Sequence, residues 1–182
     1  WDKRHGDYED YLMEISRIYI NSMKGLNKDY LDFITNQVIK LKGERVYRFT
    51  RDRILWHHKH DHLVFFISGA PNFLLSKMAE KYLDKDNNFT GEINQMWDSA
   101  SKNKAIKNFV VQYDIDMEKS FAYGDTHGDF DMLKIVGHPV AINPVGKLVN
   151  HIKKDEELRK KISLIVERKD VIYQISTDTP TL

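Results

Sequence analysis

Phe121-Ala122-Tyr123-Gly124-Asp125-Thr126-His127-Gly128-Asp129 carries an apolar run into a Gly-Asp turn, with a second aspartate four residues after the first. Apolar Met132 and Leu133 then resume a helical pattern. The pattern predicts a buried strand that stops and delivers two carboxylates to one place. In open α/β sheets, ligand sites form just outside the carboxyl ends of strands. Two hard oxygen ligands at such an end suit Mg²⁺. Aspartate is equally a good helix N-cap, so these residues alone support a metal seat and a capped turn alike.

Working back toward the start, Leu63-Val64-Phe65-Phe66-Ile67 is a continuous apolar run of strand length. Apolarity on successive residues predicts a strand covered on both faces, as in a parallel sheet between helices. It ends in Ser68-Gly69-Ala70-Pro71-Asn72, and a helix with Phe73, Leu74, Leu75 and Met78 follows. A hydroxyl, a glycine and free N–H groups at a helix start can hold a phosphate. Ser68 is also a plain N-cap residue. Residues 83 to 101 are polar and turn-rich, which predicts a hairpin or surface excursion. Residues 102 to 112 are expected to be helical, with Lys102 and Lys104 at the start, where a cation opposes the helix dipole.

Nearer the start, residues 7 to 23 and 27 to 41 have helical periodicity and are punctuated by Gly25 and Gly43, which predicts a helical hairpin. Their aromatic residues read as packing stripes. Residues 44 to 60 are expected to form a third helix ending at His57-His58-Lys59-His60-Asp61-His62. Adjacent His57 and His58 point in different directions on a helix, and there is no cysteine to complete a zinc site. The cluster therefore reads as a solvated helix end whose protonation the dipole favours. Beyond the opening stretch, His138 to Pro144 predicts a short strand ending in a polar turn. Leu148 to Lys161 is charged and partly helical, and two short apolar runs close the chain.

The 182 residues are 41% hydrophobic and 30% charged, enough to bury a sizeable core in one domain with a small insert. A net charge of +1 gives no electrostatic case for nucleic acid or an anionic membrane as partner. Cysteine is absent, which excludes disulfides and fits a reducing, cytoplasmic setting. No apolar run approaches the ~20 residues a bilayer span needs.

Ser68, Lys102 and the Asp125/Asp129 pair, in this order, resemble the motifs of haloacid dehalogenase (HAD)-superfamily phosphatases. Phe65-Phe66-Ile67-Ser68-Gly69 looks like their second motif, Lys102 like the third-motif lysine, and Tyr123-Gly124-Asp125-Thr126-His127-Gly128-Asp129 like the fourth. Val140-Ala141-Ile142-Asn143-Pro144 resembles the strand that follows in the phosphoserine-phosphatase-like subgroup. Lys102 is preferred to Lys104 because Ile106 and Phe109 then fall where that family's helix is apolar. The resemblance implies a Rossmann-like three-layer α/β/α core over residues 44–182, with a mostly parallel sheet, and a small helical cap over residues 1–43. It implies Mg²⁺-dependent hydrolysis of a small phosphorylated metabolite through an aspartyl-phosphate. Ser68, Gly69 and Lys102 would hold the phosphoryl group, and Asp125 and Asp129 the metal.

The family's first motif, Asp-x-Asp-Gly-Thr after an apolar strand, does not occur. Asp114-Ile115-Asp116 has the spacing but is followed by Met117-Glu118 and preceded by helix. The expectation is a segment before Trp1 that carries the nucleophile on a strand between those bearing Ser68 and Asp125. A second omission is expected near Tyr82 to Asp84, where the family has a core strand. A complete chain would instead be an inactive relative that binds a phosphorylated ligand or a protein.

Overall fold

A computed structural model describes residues 8–68, 70, 72–82 and 99–180. The helices are α1 (Tyr8–Met23), α2 (Lys28–Lys42), α3 (Arg48–Lys59), α4 (Asn72–Tyr82), α5 (Ser99–Tyr113), α6 (Phe130–Ile135), α7 (Gly146–Lys154) and α8 (Glu156–Lys161). The strands are β1 (Phe121–Gly124), β2 (His138–Ile142), β3 (Ser163–Arg168) and β4 (Val171–Ile175). Contacts divide the chain into two compact units: Trp1–Arg45 with Ser68–Gly91, and Val46–Ile67 with Glu92–Leu182. Ser68, Ala70 and α4, assigned from the sequence to the core, fall in the first unit.

In the first unit α1 stops at a turn containing Gly25, whose φ of 86° is the left-handed conformation that glycine adopts without strain. Asn27 then caps α2, its side chain accepting the Asp29 N–H at 2.7 Å. α2 packs on α4.

The second unit is built on a four-stranded sheet in the order β1-β2-β3-β4. β1, β2 and β3 run parallel, and β4 returns antiparallel beside β3. Parallel neighbours need crossovers, supplied here by α6 between β1 and β2, and by α7 and α8 between β2 and β3. Side chains alternate across a strand. Ala122 joins Leu133, Val136, Ala141, Leu148, Ile152, Leu158 and Leu164 in the buried core with these helices. Phe121 and Tyr123 face α3, where Trp56 and His57 lie edge-on to Phe121 at 5.6 and 5.0 Å. Helix, sheet and helix therefore form three layers, the Rossmann-like α/β arrangement expected from the sequence.

Two expectations fail. Leu63 to Ile67 form no ladder, and Leu63 is exposed. A strand exists only through its partner, and among the described residues β1 pairs with β2 alone. The third helix begins at Arg48, not residue 44, because its N-terminus is fixed from a distance: the Glu167 carboxylate accepts the Arg48 and Phe49 N–H groups at 2.8 and 2.9 Å. No local residue signals that start. The turn-rich excursion and the possible omission near Tyr82 fall almost wholly outside the described residues; Ser99 to Ser101 belong to α5.

Leu148 has no exposed surface. Leu148→Ala should lower unfolding free energy by about 2–5 kcal/mol, measured by urea denaturation. Val111→Ala, at a side chain 85% exposed, should change it by no more than about 0.5 kcal/mol.

Candidate active site

Asp129 is the most densely bonded side chain at the end of β1. Its Oδ2 accepts the Asp125 N–H at 3.2 Å, the Thr126 N–H at 3.0 Å and the Thr126 hydroxyl at 2.9 Å. Its Oδ1 accepts from Lys102 Nζ at 2.6 Å. The residue is only 6% exposed. The carboxyl folds back so closely that a Cβ on Gly124 would lie 2.5 Å from Asp129 Cβ and 2.9 Å from its Cγ. Gly124 is therefore glycine for space. Burial pushes the Asp129 pKa up, but the hydrogen bond and charge of Lys102, with the Thr126 donors, outweigh it and hold the pKa below the usual carboxylate range.

Asp125 is its opposite. It is exposed, and no other described residue donates to its carboxyl. Partial loss of water raises its pKa, and the neighbouring Asp129 charge raises it further. A second anion beside Asp129 is held at a cost, and a cation would relieve it. Asp125 is a hard carboxylate at a strand end, the ligand type Mg²⁺ takes together with water and substrate oxygens, while among the described residues no group of three or more possible protein ligands gathers there. Asp129, with both oxygens engaged, is built to orient this turn and Lys102.

Lys102 lies in the first turn of α5, where the dipole opposes a cation. Its pairing with buried Asp129 offsets that cost. Lys104 is exposed and has no ion pair among the described residues. Asp125, Asp129 and Lys102 thus come together. Ser68 belongs to the other unit, where its hydroxyl accepts the Ala70 N–H at 3.1 Å. Gly69 lies outside the described residues.

The family model for haloacid dehalogenase-like hydrolases matches residues 8–134, more than half of the chain and inclusive of Ser68, Lys102, Asp125 and Asp129. The chain belongs to this family. It is 24% identical over 117 residues to a phosphoserine phosphatase of Mycobacterium tuberculosis, covering 58% of this chain and 38% of that one. A probable phosphatase of the same organism is 30% identical over 87 residues, covering 48% of this chain and 27% of that protein. An inhibition of morphological differentiation protein of Streptomyces azureus is 32% identical over 76 residues, covering 42% and 26%. The chain thus spans between 26% and 38% of the length of these relatives. No solved structure matches it.

Several supports of this HAD-like site escaped the reading of the sequence. Thr126 and Asp129 form a reciprocal capping box, and the Thr-x-x-Asp spacing was the available signal. Asn103 Nδ2 donates to Asp131 Oδ2 at 3.0 Å, tying α5 to α6 one residue beyond Lys102; nothing local announces that pair. His127, inside the turn, has a buried Nδ1 with no hydrogen-bond partner among the described residues. Its ring lies edge-on to His151, 4.6 Å away.

The histidine cluster requires a correction. His57 is not a solvated helix end; it is 7% exposed. Its Nε2 lies 2.7 Å from the Tyr123 hydroxyl and its Nδ1 2.8 Å from His62 Nδ1. Arg53 Nε donates to the same hydroxyl at 3.1 Å. The arrangement that leaves no buried hydrogen unpaired has the Tyr123 hydroxyl donating to His57 Nε2, and His57 donating from Nδ1 to His62 Nδ1. Burial, then the Arg53 cation and the neighbouring His62, His58 and His60, lower the His57 pKa to about 4. The dipole loses to desolvation because α3 lies against β1.

Two outcomes follow from this geometry. The unfolded chain takes up a proton on His57 near pH 6.5, while the folded chain resists it until about pH 4. The stability contributed by neutral His57 is complete above pH 6.5 and is lost as the pH falls toward 4. His57→Gln should flatten that limb of a urea-midpoint against pH curve. Gly124→Ala should displace Asp129 and weaken the Lys102 pair, costing about 3 kcal/mol or more in stability. A chemical-denaturation midpoint equal to wild type would contradict the close approach.

Proposed function

We propose that the protein is a Mg²⁺-dependent phosphatase that hydrolyses a small phosphomonoester through an aspartyl-phosphate. The observation that carries this reading is the division of labour at the end of β1: an exposed Asp125, whose carboxyl accepts from no other described residue, beside a largely buried Lys102–Asp129 pair. Asp125 would hold the metal, which when bound neutralises phosphate charge. Lys102, fixed by Asp129, would draw an equatorial phosphate oxygen and stabilise charge that develops on it. Ser68 and Gly69 would complete the phosphate cradle with a hydroxyl and an N–H. Asp129 would hold Lys102 and the turn, a role in orienting the metal's surroundings more than in ligating it directly.

We place the nucleophile outside the aspartates nearest this turn. Asp116 caps a 3₁₀ turn through the Glu118 and Lys119 N–H groups, Asp114 has a left-handed φ of 50°, and Asp131 is held by Asn103. On this reading it lies on a strand beside β1 that these residues do not include. The phosphatase-named relatives support a phosphomonoester substrate. The charge balance gives nucleic acid and membranes no role, and the absence of cysteine suits the cytoplasm. Among the described residues no helix is long and apolar enough to cross a membrane.

The test is Mg²⁺-dependent hydrolysis of an aryl phosphate by the intact protein. Chelation of the metal should abolish turnover, and Asp125→Asn should lower kcat by about 10²–10³-fold, the size of a lost transition-state charge interaction. Hydrolysis that survives Asp125→Asn would remove the metal assignment. Phosphate binding with no turnover would assign the protein instead to the inactive, ligand-binding relatives.

A further inference from the structure

α2 is apolar on two sides. Its inner side carries Leu31, buried Thr35 and Ile39 and packs in the unit that contains α4. A second stripe, Tyr30, Phe33, Ile34, Val38 and Leu41, lies exposed, with Phe33 56% and Leu41 70% accessible. The spacing makes it continuous along about three turns of one face. Among the described residues nothing covers this face, and an apolar strip of such length marks an interaction surface.

The charges at its border indicate what covers it. Asp29 and Lys40 are exposed and have no ion-pair partner among the described residues. They stand eleven residues apart, close to three full turns at 3.6 residues each. Both therefore lie on the same flank of the stripe, one at each end. In two antiparallel helices related by a two-fold axis, the same flanks face one another, and the start of one lies beside the end of the other. A two-fold through the middle of α2, beside Ile34 and Thr35, sets Asp29 of each copy against Lys40 of the other while the apolar stripes close together.

We propose that the outer face of α2 is a dimer interface with a second copy of this chain, packed antiparallel, its register set by two Asp29–Lys40 pairs. The stripe supplies the affinity and the charges supply orientation, since rim ion pairs contribute little energy but select register. The same two charges also complement the dipole of their own helix, acidic in the first turn and basic in the last. The two roles make opposite predictions for a charge exchange.

Light scattering after size exclusion, with the intact protein from about 1 to 100 μM, should give the mass of a dimer that dissociates on dilution. Phe33→Glu should be monomeric, with helical circular dichroism unchanged. Asp29→Lys places two like charges in contact across the axis and should weaken the dimer by about tenfold. Asp29→Lys with Lys40→Asp should restore it, although that exchange opposes the helix dipole. A wild-type monomer throughout would leave the stripe to some other partner and overturn the proposal. A dimer indifferent to Phe33→Glu would place the interface elsewhere. A double exchange as weak as the single one would show that the charges serve only their own helix.

Discussion

The buried pair between Lys102 and Asp129 is the constraint around which the end of β1 is arranged. A lysine at the start of α5 opposes the helix dipole, and a carboxylate 6% exposed opposes its own desolvation. Neither is tolerable alone; together, 2.6 Å apart, each neutralises the other. The same carboxylate ties down the Asp125 and Thr126 N–H groups. Gly124 must lack a side chain so that Asp129 can approach. What remains outside is Asp125, exposed, with its pKa raised by lost hydration and by the anion beside it.

β1 is also held from the other face of the sheet. Tyr123, two residues before Asp125, is gripped by Arg53 and His57 of α3. The start of α3 is gripped in turn by Glu167 at the end of β3. The helix therefore binds two strands of one mostly parallel sheet, each through polar contacts near its carboxyl end. Such contacts specify a register that apolar packing alone leaves loose. The grip depends on His57 remaining neutral, which couples the scaffold below the site to acid pH.

The parts of the fold that rest on local pattern were legible in the sequence. Gly25 and Asn27 mark the α1–α2 turn by their own conformational preferences. The apolar runs of β1, β2 and β3 announce a covered sheet. Asp125, Asp129 and Lys102 stood out through their order and their placement at element ends. What was not legible depends on distant partners. Leu63 to Ile67 has the composition of a strand, yet composition supplies no ladder. His57 has the composition of a surface cluster, yet Tyr123 and Phe121 arrive from far along the chain to bury it. The different tasks of the two aspartates depend on which one Lys102 reaches, and spacing does not encode that.

We propose that Asp129 belongs to the scaffold and Asp125 to the metal. Titrating Mg²⁺ into protein labelled with ¹³C at the aspartate carboxyls, and following both resonances by NMR, tests it directly. The Asp125 carboxyl should shift with saturation as it becomes a ligand, while Asp129 should stay ionised, scarcely move and keep its bond to Lys102. A large shift at Asp129 with release of the lysine, and none at Asp125, would contradict it.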